Sequence, residues 1–207
     1  MAYIVMSLSL KKFRTIKSEI RVIGVDDGKF TPHKKGIAIV VGVVFKGGLW
    51  FEGIMHTNIE VDGFDATEKI ATMIKNSIHF RQLRLVMLNG ITFAGFNVVN
   101  LKKLNLEIGL PVIALTHDKL DLASICSALK NLPKSEDRWE LVVKAGEIYE
   151  IINHDTKVYV ELAGISLNDA QKVIKLTSTR SCLPEPLRVA HLIASGISPD
   201  FEEIEKV

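Results

Sequence analysis

The chain has 207 residues, 47% of them hydrophobic and 24% charged, a balance that excludes wholesale disorder. A chain of this length buries about 70% of its unfolded surface, so it needs neither disulfides nor a structural metal to fold. Its 26 basic and 24 acidic residues leave a formal charge of +2, which neither demands a nucleic-acid partner nor excludes one, because a local basic patch survives in a near-neutral total.

The opening run MAYIVMSLSLKKFRTIK places its apolar stretch ahead of Lys11, Lys12, Arg14 and Lys17. A signal peptide has the reverse order, and the run has about half the length that spans a bilayer. A soluble cytoplasmic protein with no membrane partner is expected. Arg21–Asp26 is a short apolar run closing on acids and Gly28, the pattern of a buried strand. Gly36–Phe45 and Leu49–His56 are two further strands, and Lys46-Gly47-Gly48 between them is hairpin chemistry. Ala66–Asn76 puts Ile70, Met73 and Ile74 on one helical face. Arg84–Leu88 reads as a strand entering Asn89-Gly90. Val98–Ile108 reads as a helix stopped by Gly109, Pro111–Leu115 as a strand and Leu120–Leu129 as a helix.

The polar stretch Asn131–Asp137, with its proline, predicts a surface loop. Trp139–Lys144 fits either period and ends at Gly146. Glu147–Ile152 and Lys157–Leu162 are strands joined by the turn Asn153-His154-Asp155. Helices are predicted around Asn168–Lys175 and Glu185–Ala194. The order implies a layered α/β fold with a mixed sheet, and no composition shift divides residues 1–207, so one domain is expected. Cys126 and Cys182 have no metal-ligand spacing and read as buried thiols. The histidines, His33, His56, His79, His117, His154 and His191, are scattered and form no ligand spacing either.

Open α/β sheets keep their sites at the C-terminal ends of strands. Two predicted strands end in polar groups there: the first in Asp26, Asp27 and Gly28, the fourth in Asn89, Gly90 and Thr92. Asp62, Asp65 and Glu68 stand at the start of the first helix. Converging carboxylates are what Mg²⁺ or Mn²⁺ requires, and such an ion can assist phosphodiester displacement. Each group also has a plain structural reading. Asp65 with Glu68 fits a helix N-cap and capping box, Asp62-Gly63 fits a turn, and Asn89-Gly90 fits a tight turn with positive φ.

Three stretches together resemble endonuclease V. Val22-Ile-Gly-Val-Asp26 with Phe30 is similar to that family's first strand, which ends in a metal-binding Asp. Leu85-Val-Met-Leu-Asn89-Gly90, then Gly109-Leu-Pro111-Val-Ile, resembles the strand ending in a second metal-binding Asp and the elements after it. Leu183-Pro-Glu-Pro186-Leu-Arg188-Val-Ala-His191 resembles the family's C-terminal Pro-Glu-Pro-x-Arg-x-Ala-His run. The phrases Gly24-Val-Asp-Asp-Gly28, Asp62-Gly-Phe-Asp-Ala-Thr67 and Asn89-Gly-Ile-Thr-Phe-Ala-Gly-Phe-Asn97 resemble an archaeal family grouped with endonuclease V. The resemblance runs from Ile16 to Ser195 and implies an RNase H-like mixed sheet flanked by helices.

It also implies Asp26 as the main metal ligand, Asp27 and Asn89 as further ligands, and Asp65 beside Asp26 in a catalytic role. The family's helix-opening Glu corresponds to Asp65 or Glu68. Three departures stand out. Asn89 is neutral where the family has a second acid, Ala163-Gly164 replace a catalytic His, and no Tyr-containing wedge precedes Asp62. Two functions follow: a divalent-metal-dependent nuclease acting on DNA or RNA, or a non-catalytic relative that binds nucleic acid or a protein partner. Lys11, Lys12, Lys34, Lys35, Lys102 and Lys103 are available to the second, although each pair also reads as a solvated face. In the C-terminal run, Glu185 and Arg188 are expected to pair near the start of the last helix, which makes that run structural.

Overall fold

The computed structural model describes residues 13–32 and 34–198. The N-terminal apolar run, Lys11, Lys12 and His33 lie outside the described residues. The strands are β1 (Arg21–Asp27), β2 (Ile37–Lys46), β3 (Trp50–Glu60), β4 (Leu85–Asn89), β5 (Thr92–Phe93), β6 (Asn97–Val98), β7 (Val112–Thr116), β8 (Tyr149–Asn153) and β9 (Thr156–Ala163). The helices are α1 (Ala66–Lys75), α2 (Leu101–Ile108), α3 (Leu122–Leu129), α4 (Ser135–Ala145), α5 (Leu167–Thr177) and α6 (Glu185–Ile197). Seven strands form one mixed sheet in the order β3-β2-β1-β4-β7-β9-β8, and β5 and β6 form a separate small ribbon.

The centre of the sheet follows from composition. β1, β4 and β7 are nearly continuous apolar runs, buried on both faces, and they pair in parallel, as such runs do when helices cover both sides. One face of the sheet packs against α1, α2 and the ends of α3 and α4, the other against α5 and α6. Ile70, Met73 and Ile74 bury the predicted face of α1. Leu187, Ala190 and Ala194 are buried along one face of α6. Each large aliphatic side chain so buried contributes roughly 1.5–3 kcal/mol.

Gly24 sets how closely α6 approaches. A Cβ there would collide with the backbone of Pro186 and Leu187, so only glycine lets the start of α6 press onto β1. The middle of β1 therefore holds the N-terminal end of α6 directly above it.

Three stretches differ from expectation. Val98 belongs to β6 rather than to a helix. The helix starts at Leu101 because the Asn100 side chain accepts from the Lys103 N–H and caps it. The predicted Asn131–Asp137 loop is shorter, since Lys134, at φ 55°, turns the chain into α4, which runs through the undecided Trp139–Lys144. Cys126 and Cys182 are half-buried rather than buried, and free. Among the described residues, no helix is long and apolar enough to cross a membrane.

Candidate active site

The site begins with strand alternation. Along β1, Ile23 and Val25 face the α1/α2 side, and Val22 faces α6. Asp26 therefore points to the α6 side and Asp27 to the opposite one. β4 lies parallel to β1 with Val25 beside Leu88, which puts Asn89 next to Asp26. Asn89 Nδ2 donates to Asp26 Oδ2 at 3.0 Å, and His191 Nδ1, from α6, contacts the same oxygen at 2.8 Å. The Asp27 N–H donates to Asp26 Oδ1 at 3.0 Å. Asp26 is 2% exposed, whereas the His191 side chain is 61% exposed. A buried acid thus holds an open imidazole. Burial pushes the Asp26 carboxyl above its ordinary range, and the contacts from His191, Asp27 and Asn89 pull it back.

His191 and Asn89 line a cleft of about 550 Å³ between α6 and the segment from Thr116 to Ile125. Leu120, Ile125, Leu183 and Leu187 make its walls apolar, while Lys119 and Arg188 bring charge. A smaller cavity of about 440 Å³ lies on the other side of Asn89, lined by Gly90, Thr92 and Phe96.

Of the residues proposed from sequence, Asp26 and Asn89 meet. Asp27 and Asp65 do not join them, and each has a structural reason. Asp27 Oδ2 accepts the Ala94 N–H at 2.7 Å. Burial, with the charge of Asp26 adding to it, pushes the Asp27 carboxyl up to about 6, although the Ala94 N–H opposes the rise. Asp65 Oδ1 accepts from Asn97 Nδ2 at 2.6 Å and from the Glu60 N–H at 3.2 Å. Asp65 stands at the N-cap of α1 without capping it. Asn97 Oδ1 instead accepts the Ala66 N–H at 3.0 Å. Glu68 forms no capping box and pairs with Lys103 at 2.8 Å. Asp62 Oδ1 accepts the Phe96 N–H at 2.8 Å.

Sequence reasoning gave His191 no role. It lies 165 residues from Asp26, and the only signal was its place in the Pro-Glu-Pro run. Among the described residues, no three acidic, His or Cys side chains converge as a metal-binding group.

A parallel β1–β4–β7 core with antiparallel β2–β3 on its edge and helices on both faces is a mixed α/β fold of the kind that endonuclease V has. The chain belongs to the endonuclease dU family, whose sequence model matches residues 18–198. It is 50% identical to a UPF0215 protein of Methanosarcina acetivorans over 88% of this chain and 92% of that one. It is 44% identical to a UPF0215 protein of Pyrococcus furiosus over 89% and 95%. A crystal structure of an Archaeoglobus fulgidus protein of unknown function, 35% identical, superposes with a TM-score of 0.79 and covers 87% of this chain and 99% of that one. Endonuclease V of Ciona intestinalis, solved with a 24mer DNA containing an inosine followed by a ribo-adenosine, shares the fold at TM-score 0.57 and 15% identity, over 90% and 87% of the two chains.

Proposed function

We propose that the protein is an endonuclease that cleaves a phosphodiester at the Asp26–His191 pair, with deoxyuridine-containing DNA as the substrate class that the family's description supports. The contact between His191 Nδ1 and Asp26 Oδ2 carries this reading. A carboxylate only accepts, so Nδ1–H donates and Nε2 keeps a lone pair for the cleft. Such an imidazole can take the proton of an attacking water while Asp26 stabilises the imidazolium that forms. The bond from water to phosphorus forms as the bond to the departing strand breaks, and the departing oxygen takes a proton from the imidazolium or from water. Asn89 holds the second lone-pair direction of Asp26 Oδ2, which keeps the carboxylate from turning.

Mg²⁺ or Mn²⁺ fits this set at one position at most. A carboxylate has about four acceptor positions. Asn89, His191 and the Asp27 N–H occupy three on Asp26, which is 2% exposed and lies against the Asp27 carboxyl, so at most one position is left for a cation. Magnesium is commonly held by one or two carboxylates together with substrate phosphates and water. Bound there, it would stabilise negative charge on the phosphoryl oxygens.

Asn89, neutral where a working two-acid site has a second carboxylate, favours the alternative of a relative that binds nucleic acid without cutting it. The test is incision of single- and double-stranded oligonucleotides carrying one deoxyuridine, one inosine or no lesion, with Mg²⁺, Mn²⁺ or EDTA. Asp26→Ala serves as the control for contaminating nuclease. Incision at deoxyuridine that disappears with Asp26→Ala supports the proposal. Binding without incision under every condition supports the alternative.

A further inference from the structure

The C-terminal run does more than hold α6 in place. Arg188 Nε and Nη2 donate to Glu185 Oε2 at 3.0 and 2.7 Å. Glu185 is 3% exposed, and its other oxygen, Oε1, is buried without a hydrogen-bond partner. That is a costly way to stabilise a helix start, because a carboxylate taken out of water needs every lone pair matched. The cost has a geometric consequence. Of the five N–H groups on a guanidinium, two are bound to Glu185, and the remaining three, at the Nη end, stay available. Arg188 lines the same cleft as His191 and Asn89.

The two side chains are also in register. Arg188 and His191 are three residues apart on α6, so they stand side by side on one helical face, about 5–6 Å apart at Cβ. Gly24 lets the start of this helix press onto β1, the strand that carries Asp26. The guanidinium and the imidazole are therefore fixed on one rigid base. The fork of an Arg matches two phosphate oxygens in a way that a Lys cannot. The other cation of the cleft, Lys119, sits beside Asp118, while Asp121 is committed to the N–H groups that open α3.

We infer that Arg188, oriented by buried Glu185, is the phosphate anchor of the nucleic-acid strand in this cleft, next to His191. The inference rests on the reading of the cleft as a nucleic-acid site, and it assigns the strand's backbone rather than its base to the α6 wall. Arg188 is thus a substrate-binding residue, and Glu185 a positioning residue that acts through it.

The test uses the full chain and a fluorescein-labelled single-stranded 20mer DNA with one deoxyuridine, with anisotropy read from low to moderate salt in EDTA. Arg188→Ala leaves Glu185 uncompensated, so the more informative variant is the double change Glu185→Gln/Arg188→Gln. It keeps a neutral hydrogen-bonded pair and removes the cation. Binding should weaken about tenfold, and the slope of log affinity against log salt should fall by about one counterion. Arg188→Lys should keep the slope but not the affinity, because charge remains and the fork is lost. Melting curves confirm that each variant is folded. Unchanged affinity and slope in a folded double variant would overturn the inference. A wild type that binds with this salt dependence yet never incises would sink the nuclease reading and leave the anchor standing. Incision at wild-type KM by the double variant would do the opposite.

Discussion

The last two residues of β1 are both aspartates, and they lead different lives. On the α6 side, Asp26 meets two side chains and opens, through His191, on a wide cleft. On the other side, Asp27 meets a backbone N–H and helps tie down a turn. That turn, Ala94-Gly95 with φ of 43° and 86°, is tied down on both sides. Asp27 takes the N–H of Ala94, Asp62 that of Phe96, and the carbonyls of Phe96, Asp62 and Gly63 all receive Arg138. Arg138 is 1% exposed and lies 4.1 Å above the Phe64 ring. Acids whose oxygens are filled by backbone N–H groups have become structure. Asp26, which also accepts one backbone N–H, differs in that its other oxygen meets only side chains at the edge of a cavity, and it remains available for chemistry. The difference lies in the partners, not in the residue type.

If this division holds, the largest effect of any single change should fall on the clasp. Arg138→Leu leaves three or more backbone carbonyls without donors, at about 1–3 kcal/mol for each buried group. A loss of about 3–5 kcal/mol is expected, a fall of roughly 10 °C in melting temperature for a chain of this size. Cleavage per folded molecule should be retained. A small stability loss would mean that the clasp is dispensable.

The next largest effect separates the neighbours directly. Asp26→Asn should lower incision by at least about 100-fold, the usual contribution of a positioned proton acceptor. Its melting temperature should hold or rise, since a desolvated charge is removed. Asp27→Asn should leave incision little changed, because its amide oxygen can still accept the Ala94 N–H, and near neutral pH its melting temperature should also hold or rise, since a buried charge is removed. Equal kinetic losses in the two variants would erase the distinction.

How much of this could be read in the chain depends on the range of each signal. The strands and most helices were legible because they are local patterns of period 2 or 3.6, and the fold class followed from their order. That Asp26 and Asn89 meet was legible too, once both were placed at the ends of parallel strands. That Asp26 and Asp27 diverge follows from strand alternation alone, and grouping them as ligands overlooked it. The β5–β6 ribbon has two residues per strand, too few for any period to show. Asn97 as the partner of Ala66, and Arg138 in an ordinary charged stretch, carried no sequence signal. Each acquires its role only from backbone atoms that folding brings to it. Asp65 and Glu68 look like a capping box, but Asn97 and Lys103 compete for them and win.

A more gradual effect sharpens the comparison through pH. Burial raises Asp27 from 3.8 to about 6, and Glu161, buried on β9, from 4.5 to about 7. In the folded state each keeps its proton over a range where the unfolded chain has lost it. Their stabilising contribution is complete below the unfolded values, falls as pH rises, and is gone above about 6 for Asp27 and about 7 for Glu161. Stability should therefore decline between about pH 4 and 7, by on the order of 3 kcal/mol for each group, since each shift is about two pKa units at about 1.4 kcal/mol apiece. Asp27→Asn should flatten the lower part of that decline and Glu161→Gln the upper part, as seen in melting temperature against pH. A stability that rises across this window in wild type would contradict the assigned burial.

The smallest effect asks whether the Asp26 side is short of one charge. Asn89→Asp changes the shape of the side chain very little, so the packing of β4 against β1 should survive. Without metal the new carboxylate faces Asp26 where an amide N–H stood at 3.0 Å. The two acids then compete for one proton, which raises the pKa of one of them and lowers stability slightly near neutral pH. With millimolar Mn²⁺ the same pair offers a dication two charged oxygens instead of one. Binding should tighten about tenfold, and the melting temperature should climb with metal concentration by mass action. The climb expected for such a gain is about 2–4 °C. Wild type, with at most one acceptor position left on Asp26, should respond less. Titration calorimetry decides between the two states of the site. If wild type binds Mn²⁺ as tightly as the Asn89→Asp variant, then Asn89 does not face the ion. In that case the charge that holds the metal must come from the Asp27 side, and the division between the two aspartates fails.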